Sequence, residues 1–71
     1  MHATSVEHMA RLARLRELRV KAGMDQVELA ERAGVARTTI IRLEAGNENA
    51  LPGTIKKIAR ALRVNPKRLF E

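Results

Sequence analysis

The segment from Gln26 to Gly46, QVELAERAGVARTTIIRLEAG, is the part of this chain that indicates its fold most clearly. Apolar residues recur in it at helical spacing on both sides of Ala33-Gly34-Val35, a pattern typical of two short amphipathic helices joined by a tight turn. Gly34 suits the left-handed backbone of such a turn, and Gly46 suits the end of the second helix. We therefore predict a pair of helices here, the second from about residue 36 to residue 45.

Helical periodicity continues before this pair. Thr4 to Glu7 has the spacing of a capping box, and Gly23 suits a helix end. This spacing predicts a long first helix between them, with one apolar stripe that comprises Met9, Leu12, Leu15, Leu18 and Ala22. Asp25 then follows as an N-cap for helix two, the first helix of the central pair.

Two further helices are predicted after the pair. Pro52 is well placed at the first position of a fourth helix, where its missing N–H costs nothing. Its core stripe comprises Ile55, Ile58, Ala59 and Leu62. Asn65-Pro66 starts a short fifth helix with Leu69 and Phe70. We expect an all-α, compact five-helix bundle that forms a single domain over residues 1–71, with residues 1–4 frayed.

Composition limits the possible partners. The chain has 71 residues and a formal charge of +6, from 14 Lys+Arg against 8 Asp+Glu. A small domain this basic favours a polyanionic partner, although a solvated basic surface has the same composition. There is no cysteine, no apolar run long enough for a membrane span and no charged-then-apolar leader pattern, so we expect a cytoplasmic protein with no membrane partner.

No pattern of catalytic or metal-binding residues is visible. The two histidines, His2 and His8, are spaced too poorly for a metal pair on one helix face, and no Ser/His/Asp set or phosphate-cradling glycine loop occurs. The single aromatic residue, Phe70, argues against stacking of single-stranded bases. We expect no enzyme, no cofactor and no metal.

The second helix of the central pair has a polar, cationic outer face with Arg37, Thr38 and Arg42. Arginine and threonine suit base edges and phosphates, and a short helix of this kind fits a DNA major groove. The alternative is that these are ordinary solvated side chains. Ile41 could touch a thymine methyl, pack against a neighbouring helix or lie in a dimer seam.

Four segments of the sequence together resemble the helix-turn-helix domain of Cro and the lambdoid phage repressors. They are LRELRVKAG, DQVELAERAGV, IIRLEAG and TIKKIARALRVNP. The resemblance covers roughly residues 15–70 and implies a lambda-repressor-like DNA-binding domain. By position, it implies that Gln26 binds a DNA phosphate and that Arg19 and Glu44 form a structural ion pair. It also implies that bases are read around helix three, the second helix of the central pair. The residues at these positions are Ala36, Arg37, Thr38, Ile41 and Arg42.

This chain departs from that family at two places. Ala36 stands where the family commonly has a Ser or Thr N-cap, and the loop after helix three reads Asn-Glu-Asn where the family's is often basic. Phosphate contacts are therefore expected from Asn47, Asn49 and Thr54, with Arg16 added because the first helix crosses near the DNA backbone in this motif.

The expected function is sequence-specific binding of double-stranded DNA by a homodimer that regulates transcription, as a repressor on an operator. We expect the dimer seam to include the C-terminal segment, with Leu69, Phe70, Arg63 and Val64. The biological setting stays open between phage repressor, antitoxin, restriction-modification controller and plasmid regulator. The alternative from another class is a protein-interaction adaptor that uses the same fold without DNA; single-stranded RNA binding is disfavoured.

Overall fold

The structure, a computed structural model, describes residues 11–46 and 49–70. In chain order these residues form four α-helices and one 3-10 helix: α1 (Leu15–Lys21), α2 (Gln26–Ala33), α3 (Arg37–Ala45), α4 (Pro52–Leu62) and the 3-10 helix (Pro66–Leu69). No β-strand lies in either described range. The all-α class predicted from the sequence is thus confirmed.

Helix α2 lies at the centre of the packing. It contacts α3 on one side and α4 on another, while α1 packs against α3 and the 3-10 helix against α4. Every element supplies one fully buried side chain to the shared core, in chain order Leu15, Leu29, Ile40, Ile58 and Leu69. Burial of each such side chain is worth about 1.5–3 kcal/mol, so the core fixes how the helices cross.

The boundaries of the central pair follow from local chemistry, as predicted. The side chain of Asp25 accepts a hydrogen bond of 2.7 Å from the backbone N–H of Glu28, which caps α2. Gly34 and Gly46 end α2 and α3 in the left-handed conformation, at φ 73° and 75°. By contrast Ala36, at the N-cap of α3, makes no capping hydrogen bond with its side chain.

The predicted extent of the first helix is wrong. We expected a continuous helix from residue 4 onward, but α1 begins only at Leu15, and residues 11–14 are not helical. The backbone N–H of Arg14 instead donates to the carbonyl of Leu69, at 3.0 Å, which ties this segment to the 3-10 helix. Leu12 is still buried, but from a non-helical backbone.

Two other residues of that prediction have different outcomes. Ala22 is exposed after the last turn of α1, so it is not part of the apolar stripe. Met9 and the capping box at residues 4–7 lie outside the described residues, as does the expected fraying of residues 1–4.

The expected fifth α-helix is a 3-10 helix, so the described residues contain four α-helices and not five. Its start is as predicted, because the Asn65 side chain accepts from the backbone N–H of Lys67 at 3.0 Å. Leu69 is fully buried in the core of its own chain, which removes it from the expected dimer seam, whereas Phe70 is 38% exposed.

Candidate nucleic-acid interface

Helix α3 presents two contrasting faces. Ile40 and Leu43 are buried and pack α3 onto the core. The opposite face is exposed and consists of Arg37, Thr38, Ile41 and Arg42. These residues follow the i, i+1, i+4, i+5 spacing of one helical surface, so the structure brings all of them together with two cations and one hydroxyl facing solvent.

The turn before α3 controls where this face points. The N–H of Val35 donates to the carbonyl of Ala30 at 3.0 Å, which closes the turn onto the end of α2. Val35 packs against the core, and Ala36 then takes an extended conformation before the helix begins. Because the turn is held at both its backbone and its side chain, α3 has a defined direction relative to α2.

A largely buried ion pair joins α1 to the last turn of α3. The guanidinium of Arg19 donates to both carboxylate oxygens of Glu44, at 2.5 and 3.1 Å, and the side chains are 11% and 6% exposed. Arg19 also donates to the carbonyl of Met24 at 2.8 Å, in the loop between α1 and α2. The hydrogen bond to Glu44 raises the pKa of Arg19 above its ordinary value, so this cation stays charged.

Gln26 belongs to the same cluster, a contact that the sequence reasoning missed. It is the first residue of α2 and half-buried, and its Nε2 donates to Oε1 of Glu44 at 3.1 Å. No local signal could have revealed this contact, since it depends on how α2 and α3 cross. We call the three residues Arg19, Gln26 and Glu44 the interhelix polar cluster.

An open groove of about 450 Å³ lies over the interhelix polar cluster. Besides the cluster itself it is lined by Arg16, Ile41 and Ala45. The groove thus combines three residues that were expected to contact DNA, Arg16, Gln26 and Ile41. Arg16 is exposed and makes no ion pair within residues 11–46 and 49–70, so it offers a free cation beside the amide of Gln26.

The remaining phosphate candidates lie elsewhere. Thr54 is half-buried in the first turn of α4, and Asn49 is exposed just ahead of that helix. Neither lines the groove. Asn47 lies outside the described residues. The site therefore consists of three parts: the exposed face of α3, the groove, and a separate patch at the start of α4 formed by Asn49 and Thr54.

Within residues 11–46 and 49–70, no cluster of three or more acidic or histidine side chains could hold a metal ion. No helix in the described part of the chain is both long and apolar enough to cross a membrane.

Residues 15–69 match the family model described as "Helix-turn-helix". The chain belongs to this helix-turn-helix family, in its Cro- and repressor-like branch. That family is a class of transcriptional regulators and not a class of enzymes. The family membership that the four sequence segments indicated is confirmed.

Relatives with related sequences are described as HTH-type transcriptional regulators. One uncharacterised regulator from Archaeoglobus fulgidus is 46% identical over 57 residues, which cover 80% of this chain and 81% of the relative. Another, from Methanothermobacter thermautotrophicus, is 50% identical over 48 residues, or 68% of this chain and 70% of the relative.

Among the solved structures that share the fold, two illustrate the likeness. The restriction-modification controller protein C.AhdI from Aeromonas hydrophila superposes with a TM-score of 0.77 at 40% identity, covering 80% of this chain and 86% of that one. SinR, a master regulator for biofilm formation solved in complex with DNA, gives 0.78 at 29% identity, covering 82% and 94%. These matches establish the lambda-repressor-like arrangement of the helices.

Proposed function

We propose that this protein binds double-stranded DNA sequence-specifically and regulates transcription, with α3 as the helix that enters the major groove. The observation that carries the proposal is the two-faced α3, whose apolar side is buried by Ile40 and Leu43 while Arg37, Thr38 and Arg42 are exposed. The likeness to SinR, solved with DNA, supports it. The alternative, an adaptor that does not bind DNA, would not require two arginines on the exposed face of this helix.

In this proposal the α3 face reads base edges. Arg37 and Arg42 would donate to guanine, the commonest specific arginine contact, and Thr38 and Ile41 would add a hydroxyl and an apolar contact. Ala36 lies at the start of the helix, where its small side chain allows close approach to a base pair. Each good arginine–guanine contact is worth about 1–3 kcal/mol of discrimination.

Phosphate contacts would set the register without carrying sequence information. The groove supplies the amide of Gln26 and the cation of Arg16, and the patch at the start of α4 supplies Thr54 and Asn49. By its sequence position, just after α3, Asn47 would contribute a further phosphate contact.

We further propose a two-fold homodimer that acts as a repressor on an operator in the cytoplasm. A dimer would place two copies of α3 about 34 Å apart, one turn of DNA. Phe70 and Leu51 are 38% and 58% exposed, so these apolar side chains are available to the seam. A monomeric mass in solution, together with a selected DNA site that lacks two-fold symmetry, would refute the proposed dimer.

Binding-site selection from a random duplex library tests the reading by α3. Arg37→Ala and Arg42→Ala should each blur at least one position of the selected consensus and cost about 1–3 kcal/mol on the preferred site. Arg32→Ala is the matched control, because Arg32 is an exposed arginine on α2 paired with Glu28. It removes the same charge but should leave the consensus intact.

Salt titrations of these variants and of Gln26→Ala separate base contacts from phosphate contacts. Loss of a cationic phosphate contact reduces the slope of log K against log salt by about 0.9, whereas Gln26→Ala removes a neutral contact and should weaken all sequences with little change in slope. If both α3 arginine variants keep the wild-type consensus at every position, α3 does not read sequence through these residues. If the folded wild-type protein binds no duplex even at low salt, the adaptor alternative replaces this proposal.

A further inference from the structure

The carboxylate of Glu44 is surrounded by donors. Arg19 supplies two of them and Gln26 the third, and the Glu44 side chain is 6% exposed. Glu44 lies in the last turn of α3, where the helix dipole disfavours a negative charge. The pairing with Arg19 offsets that cost, which makes the carboxylate a fixed feature of the scaffold and a fixed acceptor for Gln26.

A carboxylate can only accept hydrogen bonds, whereas a glutamine amide can present either its NH2 or its carbonyl oxygen. Glu44 therefore selects the orientation of Gln26 in which Nε2 faces the carboxylate. One N–H of that nitrogen is used by Glu44, and the second has no other acceptor within the described residues. The Gln26 side chain thus offers a donor to the groove beside the exposed Arg16.

The charges of the groove fit an anion despite the carboxylate in it. Arg19 and Glu44 neutralise each other at hydrogen-bonding distance, and Arg16 leaves the groove with one net positive charge. A DNA phosphate accepts hydrogen bonds and cannot donate them, so it needs Nε2 and would be repelled by the carbonyl oxygen of a reversed amide.

We propose that Glu44 is a positioning residue for DNA binding: it holds the amide of Gln26 so that an N–H, and not the carbonyl oxygen, faces a backbone phosphate in the groove. This inference rests on the proposed function. It couples the phosphate contact at the start of α2 to the last turn of the recognition helix, so that the contact forms only when α3 is correctly docked.

The test separates positioning from scaffold stability by replacing the whole ion pair. In the variant Arg19→Met/Glu44→Leu, apolar side chains replace both partners, a change that is often neutral or stabilising and leaves the net charge unchanged. The acceptor for Gln26 is lost, but the contact between α1 and α3 is kept. Circular dichroism melting checks that this variant folds as the wild type does.

Binding is measured on a mixed-sequence duplex of about 30 base pairs, long enough for two half-sites one helical turn apart. Gln26→Ala should weaken binding by about three- to tenfold in the wild-type background. The ion-pair variant alone should lose a similar factor, and Gln26→Ala should cost nothing further in it. A purely structural Glu44 predicts otherwise, namely wild-type affinity for the ion-pair variant and an equal loss from Gln26→Ala in both backgrounds, which would overturn the proposal.

Glu44→Gln provides a second measurement that keeps the side-chain volume and needs no DNA. In the free wild-type protein, one side-chain amide proton of Gln26 should exchange slowly and shift downfield in NMR spectra. In Glu44→Gln both effects should weaken, because a neutral amide oxygen accepts a hydrogen bond less strongly than a carboxylate does. Unchanged Gln26 amide signals would refute the positioning role even if the ion-pair variant failed to fold. A folded wild-type protein that binds no duplex would instead refute the proposed function.

Discussion

The uncapped start of α3 leads to a prediction about stability. Ala36 has the extended backbone of an N-cap, with φ −72° and ψ 147°, but no side-chain oxygen to accept from the first turn. The same position before α2 is held by Asp25, whose carboxylate accepts from the N–H of Glu28 at 2.7 Å. Ala36→Ser supplies the missing acceptor without changing the backbone, so it should stabilise the fold.

The magnitude follows from the donors that remain free. A side-chain N-cap is typically worth about 1 kcal/mol, within a range of about 0.5–2 kcal/mol. At α3 the N–H of Thr39 already donates to the carbonyl of Ala36 at 3.0 Å. A serine hydroxyl would therefore compete with an existing hydrogen bond and stabilise the helix less than an ordinary N-cap does. We therefore expect about 0.5–1 kcal/mol, which for a domain of this size raises Tm by roughly 2–8 °C.

The assay is thermal unfolding followed by circular dichroism, with Asp25→Ala as the matched variant. That change deletes an existing cap of the same type and should lower stability by about 1 kcal/mol. If Asp25→Ala lowers Tm while Ala36→Ser leaves it unchanged, the start of α3 has no uncompensated donor. The bond from Thr39 to the Ala36 carbonyl would then be the complete cap, and the reasoning from the missing side chain would be refuted.

Three further predictions concern local features. Arg63 ends α4 in the left-handed conformation at φ 58°, which costs a non-glycine residue about 1–2 kcal/mol. Arg63→Gly removes that cost but adds the entropy cost of glycine, so it should stabilise the fold by about 0.5–1 kcal/mol and raise the urea midpoint. Arg60→Gly inside α4 should destabilise the fold by about 1 kcal/mol, and a loss of stability at both positions would contradict the backbone argument. Ile58 is fully buried, so Ile58→Val should cost about 0.5–1.5 kcal/mol in the same measurement, and no loss would mean that the core is looser than described. A hydrogen bond from Arg14 lowers the pKa of Glu17, so its stabilising effect is present above the ordinary carboxyl pKa and is lost as pH falls through the lowered one; an NMR titration in Arg14→Ala should show the midpoint moving upward, and an unmoved midpoint would exclude this cause.

Local chemistry made α2, α3 and α4 predictable from sequence. Their caps and ends depend on residues within a few positions of each other, such as Asp25 with Glu28 or glycine at a left-handed C-cap. The inward stripes and the exposed arginines of α3 follow from the helical period alone. The family resemblance then added expected roles for residues such as Gln26.

The start of α1 was not predictable in this way. Leu12, Leu15 and Leu18 keep helical spacing, but the N–H of Arg14 is bonded to the carbonyl of Leu69, a residue from the far end of the chain. Periodicity describes which residues are buried and does not say which backbone buries them. For the same reason the sequence could not show that Leu69 belongs to the core and not to a dimer seam.

The residues of the candidate interface could be predicted from the sequence, but the contacts among them depend on the tertiary structure. Arg37, Thr38 and Arg42 share a face because they share one helix. Gln26 and Glu44 lie on different helices, and their hydrogen bond forms because α2 and α3 cross at an angle set by buried side chains such as Leu29 and Ile40. A contact between helices depends on how the core packs, and packing is a property of the whole domain that no local stretch of sequence encodes.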